Sequence, residues 1–350
     1  MPTRAALGRV AVRSLPQPQR APAPFVKWVG GKGRLLAQLE PLMPKGVELM
    51  RHVEPFMGGA AMFFARRPVR ALLSDVNPAL VHTYTMVRDH VEQVIDALEA
   101  LAHDHDVERY YEVRSRYNTC DLDPAERAAT FIYLNKTCFN GLHRVNRRGE
   151  FNVPAGRYKN PRILDAEGLR AAGRALARAE IRRAGYESLL ASARPGDFVY
   201  FDPPYEPVSP TASFTSYAES GFGQDDQRRL RDVFAELSRR GCKCMLSNSD
   251  VPFIRELYEG FHVGVVAAPR AVNCDATRRG LVSEVVVRNY SCPGYSWPGP
   301  STGRCTCSAG AGAPSISPAP MPEARRKSTT TGFCDLRMSS GVPLASMQPW

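Results

Sequence analysis

The stretch DFVYFDPPYEP, residues 197–207, decides how the rest of the chain is read. Phe198 to Phe201 form a short unbroken apolar run, the pattern of a strand buried on both faces. The run stops at Asp202-Pro203-Pro204-Tyr205. Prolines end strands because they lack the N–H that a ladder needs. An acid at such a point is also ordinary turn chemistry. Neither explains why an acid, two rigid imino acids and an aromatic ring stand in a row, so the other strand ends have to decide.

HVEPF (52–56) and ALLSD (71–75) are further short apolar runs that end in acids. Helical spacing runs from Ala79 to Leu101, and again over 125–135, 165–179 and 224–240. AEIRRAGY (179–186), CKCMLSN (242–248), FHVGVV (261–266) and SEVVVRNY (283–290) read as strands between them. Strand–helix alternation of this kind predicts a doubly wound α/β sheet. Ligands of such sheets sit beyond the carboxyl ends of the strands, where Glu54, Asp75 and Asp202 fall. NKTCFNGLHRVNRRGEFNVPAGRY (135–158) breaks the alternation and reads as a hairpin, RVN then RRG then EFNV.

The bulk properties narrow the class less than the motifs do. A chain of 350 residues holds one large domain, or a domain with a smaller companion. No run of about 18 apolar residues is present, so no membrane span is expected. Residues 1–24, rich in Pro, Arg and Ala, have no apolar segment of a secretory signal, although an Arg-rich, acid-poor start is also the composition of a transit peptide. Residues 293–350, rich in Pro, Ser, Gly and Thr, show no apolar period; both ends are expected to be disordered. The nine cysteines follow no framework or zinc-ribbon spacing, and the histidines no zincin or deaminase spacing. Reduced thiols, a cytoplasmic location and no metal are therefore expected. The net charge of +11 suggests a polyanionic partner. The first 24 residues carry four Arg without an acid, and residues 293–350 carry five basic against two acidic side chains, which leaves +4 for the folded part. Charge alone does not make this a nucleic-acid protein.

In EPFMGGAAMFF (54–64) a strand runs through Gly58-Gly59 into a helix, and glycines there let a ligand approach the backbone. Taken alone this is also a plain strand-to-helix turn. Asp75 follows Gly58 by 17 residues, near the offset at which an acid accepts ribose hydroxyls in nucleoside-binding folds; an N-cap is the plainer reading. FVKWVGGKGRLL (25–36) lacks the spacing of a triphosphate-binding loop. Trp28 and Lys32 suit a nucleoside and a carboxylate, or simply a core Trp in a loop before a helix. DPPY is sharper. An exocyclic amine on a base is a poor nucleophile because its lone pair is delocalised into the ring. Two acceptors for its hydrogens let the nitrogen pyramidalise. Asp202 offers one and the Pro203 carbonyl the other; the fixed torsions of Pro203 and Pro204 hold both in place. Tyr205 offers a ring for the base to stack on. The remaining task is alignment with an activated methyl group.

With EPFMGG, SDVN, the 135–158 segment and DPPY in this order, the chain resembles the Dam-type, D12 class of DNA adenine-N6 methyltransferases. FVKWVGGK, SFTSYAESGFGQDDQRRL, CMLSNSD and VNCDATRRGLVSEVVVRNY resemble further motifs of that family, so the resemblance covers about residues 25–291. It implies a Rossmann-like, S-adenosyl-L-methionine-dependent methyltransferase sheet from residues 25–85 and 176–292. It also implies an inserted helical and β-hairpin target-recognition domain at 86–175. Cofactor contacts are implied at Trp28, Lys32, Glu54, Phe56, Gly58, Asp75 and Asp202, and catalysis at Asp202, Pro203, Pro204 and Tyr205. The partner implied is double-stranded DNA whose target adenine leaves the stack, with the enzyme a monomer associated with the nucleoid. By the family pattern for GATC sites, Phe139 and Asn140 fill the space of the flipped base and Arg144 reads a guanine. Leu142 and Pro154 meet a thymine methyl, and Lys27 and Tyr158 lie near the other guanine. Gly141, Gly149 and Asn152 are read as shaping the hairpin, and Phe139 and His143 stand where some relatives have Tyr and Cys. Another adenine site, served as a restriction partner, and a catalytically silent DNA-binding relative are the competing readings.

Overall fold

The computed structural model describes residues 20–208, 221–269 and 281–292. The two expected disordered ends lie outside these residues, apart from residues 20–24. So do parts of the motifs at 213–230 and 272–290.

Among the described residues seven strands form one sheet: β1 (His52–Glu54), β2 (Ala71–Asp75), β3 (Ala179–Arg183), β4 (Phe198–Phe201), β5 (Lys243–Ser249), β6 (His262–Pro269) and β7 (Leu281–Arg288). Their order is β3-β2-β1-β4-β5-β7-β6. β1 to β5 are parallel, while β7 runs antiparallel to both β5 and β6. From β1 the chain winds outward through β2 to β3, then returns to build β4 and β5 on the other side of β1. The crevice between the carboxyl ends of β1 and β4 is therefore the switch point at which such sheets bind ligands.

Ten α-helices accompany the sheet among the described residues: α1 (Leu36–Leu39), α2 (Ala61–Arg66), α3 (Pro78–Asp89), α4 (Val91–Ala102), α5 (Val107–Thr119), α6 (Pro124–Thr137), α7 (Ala166–Leu176), α8 (Leu189–Ser192), α9 (Gln224–Arg239) and α10 (Pro252–Leu257). Their starts are written in the sequence. Asn77, Asp106, Asp123 and Asp165 cap α3, α5, α6 and α7 through side-chain oxygens, and Pro78 and Pro124 open α3 and α6. The helical spacing from Ala79 to Leu101 proves to be two helices, separated where His90 leaves the helical region at φ −139° and ψ 41°.

Alternate strand residues feed opposite faces. Val199 and Phe201 pack with α9 residues Leu230, Val233, Phe234 and Leu237. Phe198 and Tyr200 pack with Leu35, Leu39 and Met62 on the other face. Toward β2 and β3 that second face continues through Leu73 and Ala179 into a cluster with residues of α3 to α7. The helical segment 86–175 and this part of the sheet thus share a core, and the expected boundary at 85/86 falls within α3. The expected hairpin is only sparsely paired. Its bridges are Cys138↔Ala155 and Val145↔Phe151, around a turn where the Asn146 side chain accepts from the backbone N–H groups of Arg148 and Glu150.

Candidate active site at the carboxyl edge of the sheet

β1 delivers Glu54 and then the turn Pro55–Ala60. Gly58 takes φ +46°, and a Cβ there would lie 2.7 Å from Cδ1 of Trp28, so only glycine lets the indole lie on this turn. From the end of β2, the Asp75 carboxylate accepts from the Gly58 N–H at 3.1 Å and from the Asn77 N–H at 3.0 Å. Burial raises the Asp75 pKa, and these backbone N–H groups oppose the rise. Asn77 in turn caps α3. The cap of α3 is therefore Asn77 and not Asp75, which instead braces the glycine turn and the backbone leading to the cap.

At the end of β4, Asp202 forms an ion pair with buried Lys32, Nζ to Oδ1 at 2.7 Å. Lys32 Nζ also donates to the Gly30 carbonyl at 2.5 Å and lies 4.7 Å from the centre of the Tyr205 ring. Burial pushes the Asp202 carboxyl up to about 6; Lys32 pulls it down, while Glu284 and Glu54 push it further up. The Tyr205 hydroxyl donates to Glu284 Oε2 at 2.7 Å from β7, which fixes the direction of the ring.

Side chains outside the motif hold the DPPY loop. Gln227 of α9 donates to the Pro204 carbonyl at 2.9 Å and accepts from Asn248 Nδ2 at 3.1 Å. Asn248 Oδ1 accepts from the Glu206 N–H at 3.1 Å, and Ser249 Oγ donates to the Glu206 carbonyl at 2.5 Å. Gln227 and Asn248 are fully buried. Their only signal in the sequence is the polar run Ser247-Asn248-Ser249 closing an apolar strand, and a Gln on the apolar side of a helix.

Glu54 faces inward. His52 Nε2 lies 2.5 Å from its Oε1, and Arg66 lies 2.7 Å from His52 Nδ1. Burial lowers the His52 pKa, leaving a neutral ring between carboxylate and guanidinium. Phe56 stacks on Tyr186 at 5.6 Å and meets Phe222 edge-on, on the opposite face from Trp28. Of the cofactor residues expected from the sequence, Trp28, Gly58 and Asp75 meet at the glycine turn and Lys32 pairs with Asp202 beside the catalytic candidate Tyr205, while Glu54 is bonded to His52 and Phe56 is committed to an aromatic cluster.

The residues expected to meet DNA lie on the 138–158 loop and on Lys27. Asn135 ties these together: its side chain accepts from the Lys27 N–H at 2.7 Å and donates to the carbonyls of Lys27 and Gly141 at 2.8 and 3.1 Å. Lys27 Nζ sits 4.2 Å over the Tyr158 ring. Phe139 is exposed and its N–H bonds the Pro154 carbonyl at 2.9 Å, with Asn140 in the left-handed region at φ +54°. Leu142 is half-buried against the helical core. Arg144 is exposed and bonds Asn152. His143 stacks on Trp28 at 5.7 Å and lies 3.2 Å from Asn77 Nδ2, joining this loop to the glycine turn; burial takes its pKa down to about 4.

Residues 28–272 match the family described as D12 class N6 adenine-specific DNA methyltransferase. The chain belongs to that family. The type II methyltransferase M.MjaIII of Methanocaldococcus jannaschii is 41% identical over 285 residues, covering 76% of this chain and 99% of the relative. The type II methyltransferase M1.LlaDCHI of Lactococcus lactis subsp. cremoris is 41% identical over 272 residues, 76% of this chain and 95% of the relative. The DNA adenine methylase of Vibrio cholerae is 36% identical over 265 residues, 75% and 94%. The D12-class chain is thus an adenine-specific DNA methyltransferase, and a methyl donor of the S-adenosylmethionine type follows from the family. No helix among the described residues is long and apolar enough to cross a membrane, and no group of three or more potential ligands there could hold a metal.

Proposed function

We propose that the enzyme transfers methyl from S-adenosylmethionine to N6 of an adenine flipped out of duplex DNA, within GATC. The observation that carries the chemistry is the placement of Asp202 at the switch point, paired with Lys32, with Tyr205 aimed by Glu284. The crevice suits the cofactor. Glu284 and Glu54 act electrostatically on Asp202 there, opposed by Lys32, while Glu54 also acts on Arg66. That balance fits a ligand with an ammonium, a sulfonium and one carboxylate. When bound, the cofactor supplies an electrophilic methyl group. Trp28 and the Gly58 turn are assigned to its nucleoside, Asp75 to its ribose, Glu54 and Lys32 to its charged end, and Phe56 to the wall behind it.

Asp202 and the Pro203 carbonyl accept the two amine hydrogens, which directs the nitrogen lone pair at the methyl. Pro204, held by Gln227, keeps the turn in register. Tyr205 stacks on the extruded base. Lys32, beside both Asp202 and the Tyr205 ring, orients the carboxylate.

Residues 86–175 are assigned to target recognition. Phe139 and Asn140, on an exposed bend, fill the gap left by the base; Arg144 reads a guanine; Leu142 and Pro154 meet the thymine methyl; Lys27 and Tyr158 serve the other guanine. The type II names of the relatives at 41% identity favour, as a second reading of the biological role, the modification half of a restriction system. The deciding measurement is methyl transfer from labelled S-adenosylmethionine to duplexes that differ only as GATC and GTTC, with nucleoside analysis. N6-methyladenine confined to GATC is expected; equal methylation of both removes the site assignment and keeps the enzyme class.

A further inference from the structure

We propose that Asn152 is the residue that presents Arg144 to its guanine, a positioning role in sequence discrimination rather than a contribution to the turn. The inference rests on the assignment of the 138–158 loop to base reading. Arg144 Nε donates to Asn152 Oδ1 at 2.7 Å, and Arg144 Nη2 donates to the Asn152 carbonyl at 3.2 Å. The Asn152 N–H returns a bond to the Arg144 carbonyl at 3.1 Å. One residue therefore occupies the whole side edge of the guanidinium.

The geometry of the fork gives this its consequence. A guanidinium has a side edge, made by Nε and one Nη, and an end edge, made by the two Nη groups. With the side edge taken, the end edge has no partner among the described residues and its direction is fixed. Two parallel N–H groups are what O6 and N7 of a guanine require. An Arg free to swing would have to lose that rotational freedom on binding; an Arg already held loses less.

Asn152 is itself held. Its neighbours Phe151 and Val153 are buried, so along an extended segment Asn152 faces the other way. Three residues of one face of α5, spaced four apart, grip those neighbours. The Tyr110 hydroxyl and Arg114 Nη1 donate to the Val153 carbonyl at 2.7 and 3.1 Å. Asn118 accepts from the Phe151 N–H at 2.9 Å and donates to its carbonyl at 3.0 Å. Rigidity thus passes from the helix to the backbone at 151–153, and from Asn152 to the guanidinium.

The test uses hemimethylated GATC duplexes, in which only one adenine is available, with 7-deazaguanine replacing each guanine in turn. The base analogue removes N7 and leaves the rest of the pair. For the unaltered enzyme, kcat/KM is expected to fall roughly tenfold or more at the guanine that Arg144 reads. Arg144→Ala should flatten that ratio, Asn152→Ala should flatten it likewise, and the double variant should go no further. Asn152→Asp, which still accepts from Nε, should keep the ratio. Asn152→Ser, too short to reach Nε, should behave as Asn152→Ala and serves if the alanine variant folds poorly. A merely structural Asn152 would lower the rate on every duplex alike and leave the ratio intact. That result with Arg144→Ala flattened overturns the role of Asn152 alone. An intact ratio in Arg144→Ala overturns the base-reading assignment and this inference with it.

Discussion

The carboxyl edge of the sheet and the 138–158 loop are built in opposite ways. At the sheet edge the reactive groups are sunk in a polar network drawn from four strands and α9. Lys32, Gln227 and Asn248 are all buried, and each has its partners. In the loop the side chains assigned to DNA stand exposed apart from half-buried Leu142, and the burial is in the backbone that carries them. Chemistry on an amine needs fixed acceptors at low dielectric. Reading a duplex needs side chains free to reach, mounted on something stiff. The difference predicts that damage to the sheet edge stops turnover and damage to the loop mainly alters choice.

The largest effect is expected from Asp202→Ala. Removing a preorganised partner of the reacting group costs about 10²–10³-fold in kcat, while affinity for a GATC duplex, read by fluorescence anisotropy, should hardly move. Comparable losses of both would mean that the two regions are not separate in function.

A pH series sharpens the same contrast. The Asp202 carboxyl, pushed up to about 6, offers two acceptor oxygens and a negative charge only when ionised. Above about pH 6 it is ionised and suited to the proposed acceptance from the amine. As pH falls through 6 it takes up a proton, one oxygen becomes a donor, and kcat/KM should fall about tenfold per unit. His143, held down to about 4, stays neutral over this range and gives the loop no matching transition. Duplex affinity should therefore be flat between pH 5.5 and 8 while kcat/KM is not. A parallel fall in affinity would place the titrating group on the DNA side.

These two regions also differ in how far the sequence discloses them. Glu54, Asp75 and Asp202 were legible because each closes a short apolar run, and the sheet follows from the alternation around them. Gln227, Asn248 and Glu284 were not, since they lie 25, 46 and 82 residues beyond Asp202 and acquire a role only when α9, β5 and β7 meet the DPPY loop. The loop at 138–158 reads as a hairpin from its turn chemistry, and its arms do bond each other, but its 151–153 arm is also held by α5. The polar stripe Tyr110, Arg114, Asn118 was the available sign. The break at His90 had none: neither Gly nor Pro marks it.

Tyr205 lies between the extremes, because its ring is assigned to the base while its hydroxyl bonds Glu284 of the sheet. Tyr205→Ala should cost about 1–3 kcal/mol of base stacking, seen as a lower kcat/KM and as loss of fluorescence enhancement from 2-aminopurine at the target position. Tyr205→Phe keeps the ring and loses the bond to Glu284, so it should retain most of the activity. Equal damage in the two variants would assign Tyr205 to holding the loop rather than the base.

The smallest effect, and the one that bears most directly on how the loop is mounted, is expected from Tyr110→Phe. The Val153 carbonyl then loses the hydroxyl but keeps Arg114 at 3.1 Å, so no buried acceptor is stranded. The cost to stability should stay near 0.5–1.5 kcal/mol, measurable by urea denaturation. Affinity for S-adenosylmethionine should be unchanged, since the Gly58 turn and Lys32 are untouched. Discrimination between GATC and single-substituted sites should fall by less than tenfold, because Asn118 still holds Phe151 by two bonds. Adding Asn118→Ala to Tyr110→Phe should then loosen choice by more than the two single changes combined, with kcat on GATC little altered. If the double variant discriminates as well as the unaltered enzyme, α5 is packing for the loop and not its mount.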